Sequence, residues 1–83
     1  MTDILAVVGA VTTATRLAKK LERLGDIRAR VVNTPSELGG SGCSYSVRAS
    51  LSNEAFLRNY AGIKRIYIEE TIGGKRYYHD ISR

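Results

Sequence analysis

Two apolar segments rich in β-branched residues, 4–9 and 28–33, bracket a stretch whose apolar residues repeat at helical spacing. Ala14, Leu17, Ala18, Leu21 and Leu24 fall at i, i+3, i+4, i+7 and i+10, one stripe of a 3.6-residue period. Arg16, Lys19, Lys20, Glu22 and Arg23 fill the other faces. A strand period that changes to a helical one and back describes a strand, a covering helix and a second strand, which limits the chain to folds built on that unit. Thr12 or Thr13 is expected to cap the helix start, and Gly25 to stand just past its end.

The second half repeats the order with one strand more. Cys43, Tyr45, Val47 and Ala49 alternate with Ser44, Ser46 and Arg48, the signature of a half-buried strand. Ser52 reads as the N-cap of a short helix, with Leu51 and Phe56 placed for a hydrophobic staple and Gly62 as its end. Residues 64–70 form another strand with Ile66 and Ile68 on one face, Gly73-Gly74 marks a turn, and 75–80 return as a last strand. The order β-α-β-β-α-β plus a terminal strand predicts an α+β, ferredoxin-like two-layer sandwich. Its sheet would be antiparallel in the order 4-1-3-2, with both helices on one face and a C-terminal β-hairpin extension. A different small α+β sandwich of the same elements is the alternative.

Eighty-three residues make one domain, 1–83, with 43% apolar and 25% charged residues, an ordinary globular balance. One cysteine excludes an internal disulfide, a cysteine-rich zinc site and dithiol redox chemistry. An unstapled small domain is expected in a reducing compartment, the cytoplasm. The apolar run Ile4–Ala10 is far below the roughly 20 residues that span a bilayer, and no basic residue precedes it as in a signal peptide. No metal site or cofactor is expected: one Cys and one His supply too few soft ligands, and Gly9-Ala10-Val11 lacks the further glycines of a dinucleotide fingerprint. His79 reads as an exposed residue of the last strand. It would reach Cys43 as a base only if the terminal hairpin folded back over that end. The net charge of +5 points to an anionic partner without naming one.

The expected topology gives the lone cysteine an address. The loop Gly9–Thr13 that opens the first helix and the loop 35–42 that leads into Cys43 fall at the same end of the sheet. A helix N-terminus presents unpaired N–H groups and a partial positive charge, so a thiolate beside Thr12 and Thr13 would be stabilised. Gly39, Gly40 and Gly42, with Ser41 and Ser44, would let the loop bend around an anion or a partner. Lys75 and Arg76 are expected to add a basic rim at this end. Against this stands the inert reading, in which Cys43 is a small buried hydrophobe of a non-catalytic interaction or regulatory domain.

The face of the sheet away from the helices is assigned Arg28, Arg30, Arg48, Arg65 and Tyr67, with Ser44 and Ser46. Its central strands offer no aromatic pair on which bases stack, so nucleic acid is not an expected partner. If Leu5 and Val7 point out of this face they leave apolar area uncovered, which would favour a homodimer through it. Tyr45 and Tyr60 are expected in the core, and Tyr67, Tyr77 and Tyr78 on or near the terminal hairpin.

Thr34-Pro35-Ser36-Glu37-Leu38, a Gly/Ser stretch, and Gly42-Cys43-Ser44-Tyr45-Ser46-Val47-Arg48 resemble the Se/S carrier protein-like family of small bacterial proteins. The apolar first strand and the helix opened by Thr12-Thr13-Ala14 fit the same pattern, and the resemblance extends to about Gly62. It implies that Cys43 carries sulfur or selenium as a persulfide or selenopersulfide. It also implies a donor protein that loads the thiol and an acceptor protein that unloads it, so the chain would be a carrier more than a turnover enzyme. Ser44 stands where a glycine follows the cysteine in many members, and the tail Thr71–Arg83 has no counterpart in the pattern.

Overall fold

The structure, a computed structural model, describes residues 2–39 and 44–82. Strand β1 (Thr2–Gly9) leads into helix α1 (Val11–Arg23), followed by β2 (Arg30–Asn33) and a 3-10 turn at Ser36–Leu38. Then come β3 (Tyr45–Ala49), a second 3-10 turn at Leu51–Asn53, α2 (Glu54–Arg58), β4 (Arg65–Ile72) and β5 (Lys75–Asp80). Among the described residues these form an α+β fold with one antiparallel five-stranded sheet and two helices. The sheet runs in the order β2-β3-β1-β4-β5, so β1 and β3 are interior and the hairpin strand β5 extends the edge beyond β4.

Alternation sorts the residues onto two faces, because directly paired residues share a side. Ile4 pairs with Ala49 and Ile68, and Ala6 with Val47 and Ile66. These face the helices. Ile4, Ala6, Val47, Ala49 and Ile66 join Ala14, Leu17 and Leu21 of α1 and Leu57 of α2 in a single core, with Phe56, Tyr45 and Tyr60 packed at its margin.

Both ends of α1 follow from local sequence. Gly9 has φ +91°, a conformation that L side chains avoid, and it turns the chain out of β1. The pairing of β1 with β3 skips Val8 there, passing from Val7–Ser46 to Gly9–Tyr45 as a bulge. The helix starts two residues later, so Ala10 takes the N-cap and Ala14 donates to its carbonyl at 3.0 Å. Thr12 and Thr13, expected as caps, therefore lie inside the first turn. At the other end Leu24 is the C-cap and Gly25, at φ +88°, follows it. Asp26 N–H donates to Leu21 O and Gly25 N–H to Glu22 O, both at 3.0 Å, which is a Schellman closure.

The second helix departs further from expectation. Ser52 is not its N-cap: a 3-10 turn takes up Leu51–Asn53, Asn53 stands at the cap and α2 spans only Glu54–Arg58. Leu51 is exposed, so no staple forms with Phe56. The organiser of this corner is Asp26. Its carboxylate accepts the backbone N–H groups of Arg28 and Ser50, both at 2.9 Å, and the Ser50 hydroxyl and Asn53 amide, both at 2.8 Å. One carboxylate thus ties the end of α1 to the end of β3.

Candidate functional site

Cys43 lies outside the described residues, as do Gly40, Ser41 and Gly42. The flanks of that segment are described. Thr34 and Ser44 bracket the longer connection 35–43, with Thr34 N–H donating to Ser44 O at 2.9 Å. Their hydroxyls continue the closure: Ser44 Oγ donates to Thr34 Oγ1 at 2.9 Å, and Thr34 Oγ1 and Ser46 Oγ share a hydrogen bond at 2.7 Å. Thr34 and Ser46 are buried, so their hydroxyls need these partners. The chain of three hydroxyls ties Thr34 and Ser44 to the polar face of β3.

The same end of the sheet gathers the start of α1 and the α2–β4 loop. Tyr45 pairs with Gly9, one residue before the helix N-cap. The position that a Cβ on Gly62 would take is 3.4 Å from Thr13 Cγ2, so that loop passes against the first turn of α1. Lys64 donates its backbone N–H to Val7 O at 2.8 Å. Its ammonium lies over Gly9, with Nζ 3.1 Å from where a Cβ would stand. A cation, a helix start and the flanks of the cysteine segment therefore share one end of the molecule.

The basic rim expected from Lys75 and Arg76 is not at this end. Val7 pairs with Arg65 and Thr2 with Glu70, so β4 runs away from the Gly9–Tyr45 end. Ile72 pairs with Lys75 and Thr71 with Arg76 at its far terminus. The error came from the direction of β4: antiparallel to β1, it carries its following turn to the opposite end. Lys64 is the cation that sequence reasoning missed, and its place directly before β4 was the available signal. His79 pairs across β5 and β4 with Ile68, its Nε2 3.3 Å from Glu70 Oε1, on the exposed hairpin.

The opposite sheet face is polar but tightly knit. Arg48 and Glu69 pair across β1 in a bidentate contact at 2.7 and 3.0 Å. Asp3 accepts a second bidentate pair from Arg28. Leu5, in register with Arg48 and Tyr67, is completely buried. The apolar area that Leu5 was expected to leave on this face is therefore covered. Burial works against the charged form of Glu69, yet its bonds to Arg48 and its contact with Tyr78 hold its carboxyl below the usual range. For Tyr78, burial first and then Glu69 push the phenol upward.

A family model described as "Putative Se/S carrier protein-like" matches residues 3–72. The chain belongs to the Se/S carrier protein-like family. The match takes in every element from β1 to β4 and passes over the Cys43 segment, and β5 lies beyond it. No curated protein and no solved structure matches the chain. No helix of the described residues is long and apolar enough to cross a membrane. Family membership gives the Gly9–Tyr45 end its interest, since the chain's one cysteine adjoins Ser44 there.

Proposed function

We propose that this member of the Se/S carrier protein-like family is a sulfur or selenium carrier that holds its cargo covalently on Cys43. The observation that carries the reading is the family match over residues 3–72 in a chain whose sequence contains one cysteine. The fold is read as a ferredoxin-like sandwich with β5 as an added edge strand, acting in a reducing compartment.

Sulfur transfer needs one thiolate and no resolving cysteine. The Cys43 thiolate attacks the terminal sulfur of a donor protein's persulfide. The donor's S–S bond breaks, the donor cysteine leaves as thiolate, and a new S–S bond forms on Cys43. The transferred sulfur keeps its oxidation state, so the step requires no added oxidant or reductant. An acceptor thiolate then removes the cargo by the same displacement, attacking the terminal sulfur and releasing the Cys43 thiolate. Selenium would follow the same course as a selenopersulfide.

The backbone N–H groups of Thr12 and Thr13 and the ammonium of Lys64 would stabilise the terminal anion of the persulfide. Gly40, Ser41, Gly42 and Ser44 would supply the loop that meets the donor. Support for these roles is the shared end of the sheet described above.

The test is loading by a cysteine desulfurase with cysteine as sulfur source, followed by intact mass. The reading predicts a gain of one sulfur atom that thiol reductant removes and Cys43→Ser abolishes. A protein that stays unloaded, with a thiol slow to alkylate at all pH values, would instead be the interaction domain with a structural cysteine.

A further inference from the structure

At the far end of the polar sheet face lies a cleft of about 300 Å³ that crosses all five strands. We propose that it is a binding site for a small oxyanion of the phosphate class. The inference does not depend on the carrier reading. The cleft is centred near Asp3, six residues along β1 from Gly9, or roughly 20 Å at strand spacing.

Six side chains carry the charge there. Arg30, Arg48 and Arg76 belong to β2, β3 and β5, Asp3 and Glu69 to β1 and β4, and Arg28 reaches in from the turn before β2. Four guanidiniums meet two carboxylates, and both carboxylates are already engaged: Arg28 holds Asp3 and Arg48 holds Glu69. Arg30 and Arg76 make no ion pair among the described residues, so two positive charges remain in the cleft.

The placement of Arg30 is the decisive feature. It stands directly opposite Arg48 in the β2–β3 register, on the same face. Like charges directly opposite each other destabilise a sheet. Glu69 balances the charge of Arg48 through Nε and Nη2 on the side of β1, and the charge of Arg30 at this pair is left unmatched. An oxyanion seated between Arg30 and the remaining N–H groups of Arg48 would relieve it. Each guanidinium has five N–H donors in a planar fork that suits phosphate. The cleft's size lies at the small end of the range for ligand pockets.

The experiment is an NMR titration of the full chain with inorganic phosphate and, separately, with adenosine 5′-monophosphate, at constant ionic strength against sodium chloride. The proposal predicts saturable shifts centred on Arg30 and Arg48 with at least one of the two. Preference for one or the other distinguishes free from esterified phosphate. Arg30→Gln should weaken binding about tenfold, the loss of one charge-assisted contact. Arg16→Gln, the same charge change on the opposite layer, should leave it unaltered. Arg30 is exposed, and chemical-shift dispersion will confirm that the variant is folded. Non-saturable shifts with both anions, or equal weakening by Arg30→Gln and Arg16→Gln, would overturn the proposal.

Discussion

Arg48 and Glu69 reach across β1 to each other, two hydrogen bonds at 2.7 and 3.0 Å joining the strands on either side of it. Glu69 is only 3% exposed, and Leu5 on the strand between them is wholly buried. An ion pair here does what a helix layer does on the other face: it covers the central strand.

Breaking this pair from one side leaves a buried charge without its partner, which is costlier than losing the pair as a whole. Glu69→Ala is expected to destabilise the protein by about 3 kcal/mol. Replacing both residues by leucine should cost clearly less. Urea unfolding of the two variants beside the wild type measures the difference, and equal losses would contradict it.

Acid should weaken the fold through two carboxylates. Burial raises the pKa of Asp26, but its hydrogen bonds from Ser50, Arg28 and Asn53 prevail and hold it below the ordinary value. Glu69 is lowered as well. A carboxyl lowered in the folded state contributes stability that is fully present above its unfolded pKa and is lost as pH falls through its folded value. Urea midpoints should thus hold steady near neutrality and fall below about pH 4. Asp26→Asn should lower stability at neutral pH by about 1–3 kcal/mol and flatten the acid decline.

The hydroxyl chain beside the cysteine segment gives a third expectation. Thr34→Val keeps the shape but removes the partner of the buried Ser46 hydroxyl and the acceptor for Ser44. The loss should be about 1–2 kcal/mol. Thr34→Ser should recover most of it, read as melting temperature.

Where local chemistry decides an element, its residues announce it. The alternation of Tyr45, Val47 and Ala49 against Ser44, Ser46 and Arg48 gave β3 and both its faces, and the stripe from Ala14 to Leu24 with Gly25 after it gave α1 and its closure. Thr12 and Thr13 misled because the turn at Gly9 is set by backbone conformation, which starts the helix at Val11 before either threonine can cap it. Ser52 misled because Ser50 and Asn53 are drawn to Asp26, a partner 24 and 27 residues away. Leu5 looked like an exposed apolar residue because its cover, Arg48 and Glu69, comes from two other strands. The sequence places these charges on the face away from the helices but does not show their convergence. Lys75 and Arg76 were misplaced by a strand direction, a single sign that moves a whole turn from one end of the sheet to the other.

The proposed carrier role predicts that the Cys43 thiol titrates below the ordinary value of about 8.5, because a helix start and the Lys64 ammonium, both at the Ser44 end of the sheet, would favour a thiolate held there. The pH dependence of iodoacetamide alkylation reads this directly. Lys64→Gln should move the midpoint upward without unfolding the chain, since Lys64 is exposed. A midpoint at or above the ordinary value would remove the electrostatic part of the account.

The carrier reading itself stands on one measurement: the intact mass of the protein after exposure to a cysteine desulfurase and cysteine. One added sulfur atom per chain, released by thiol reductant, passed on to an acceptor thiol and absent from Cys43→Ser, is the predicted result. A mass that does not change, or an adduct that persists in Cys43→Ser, would contradict it.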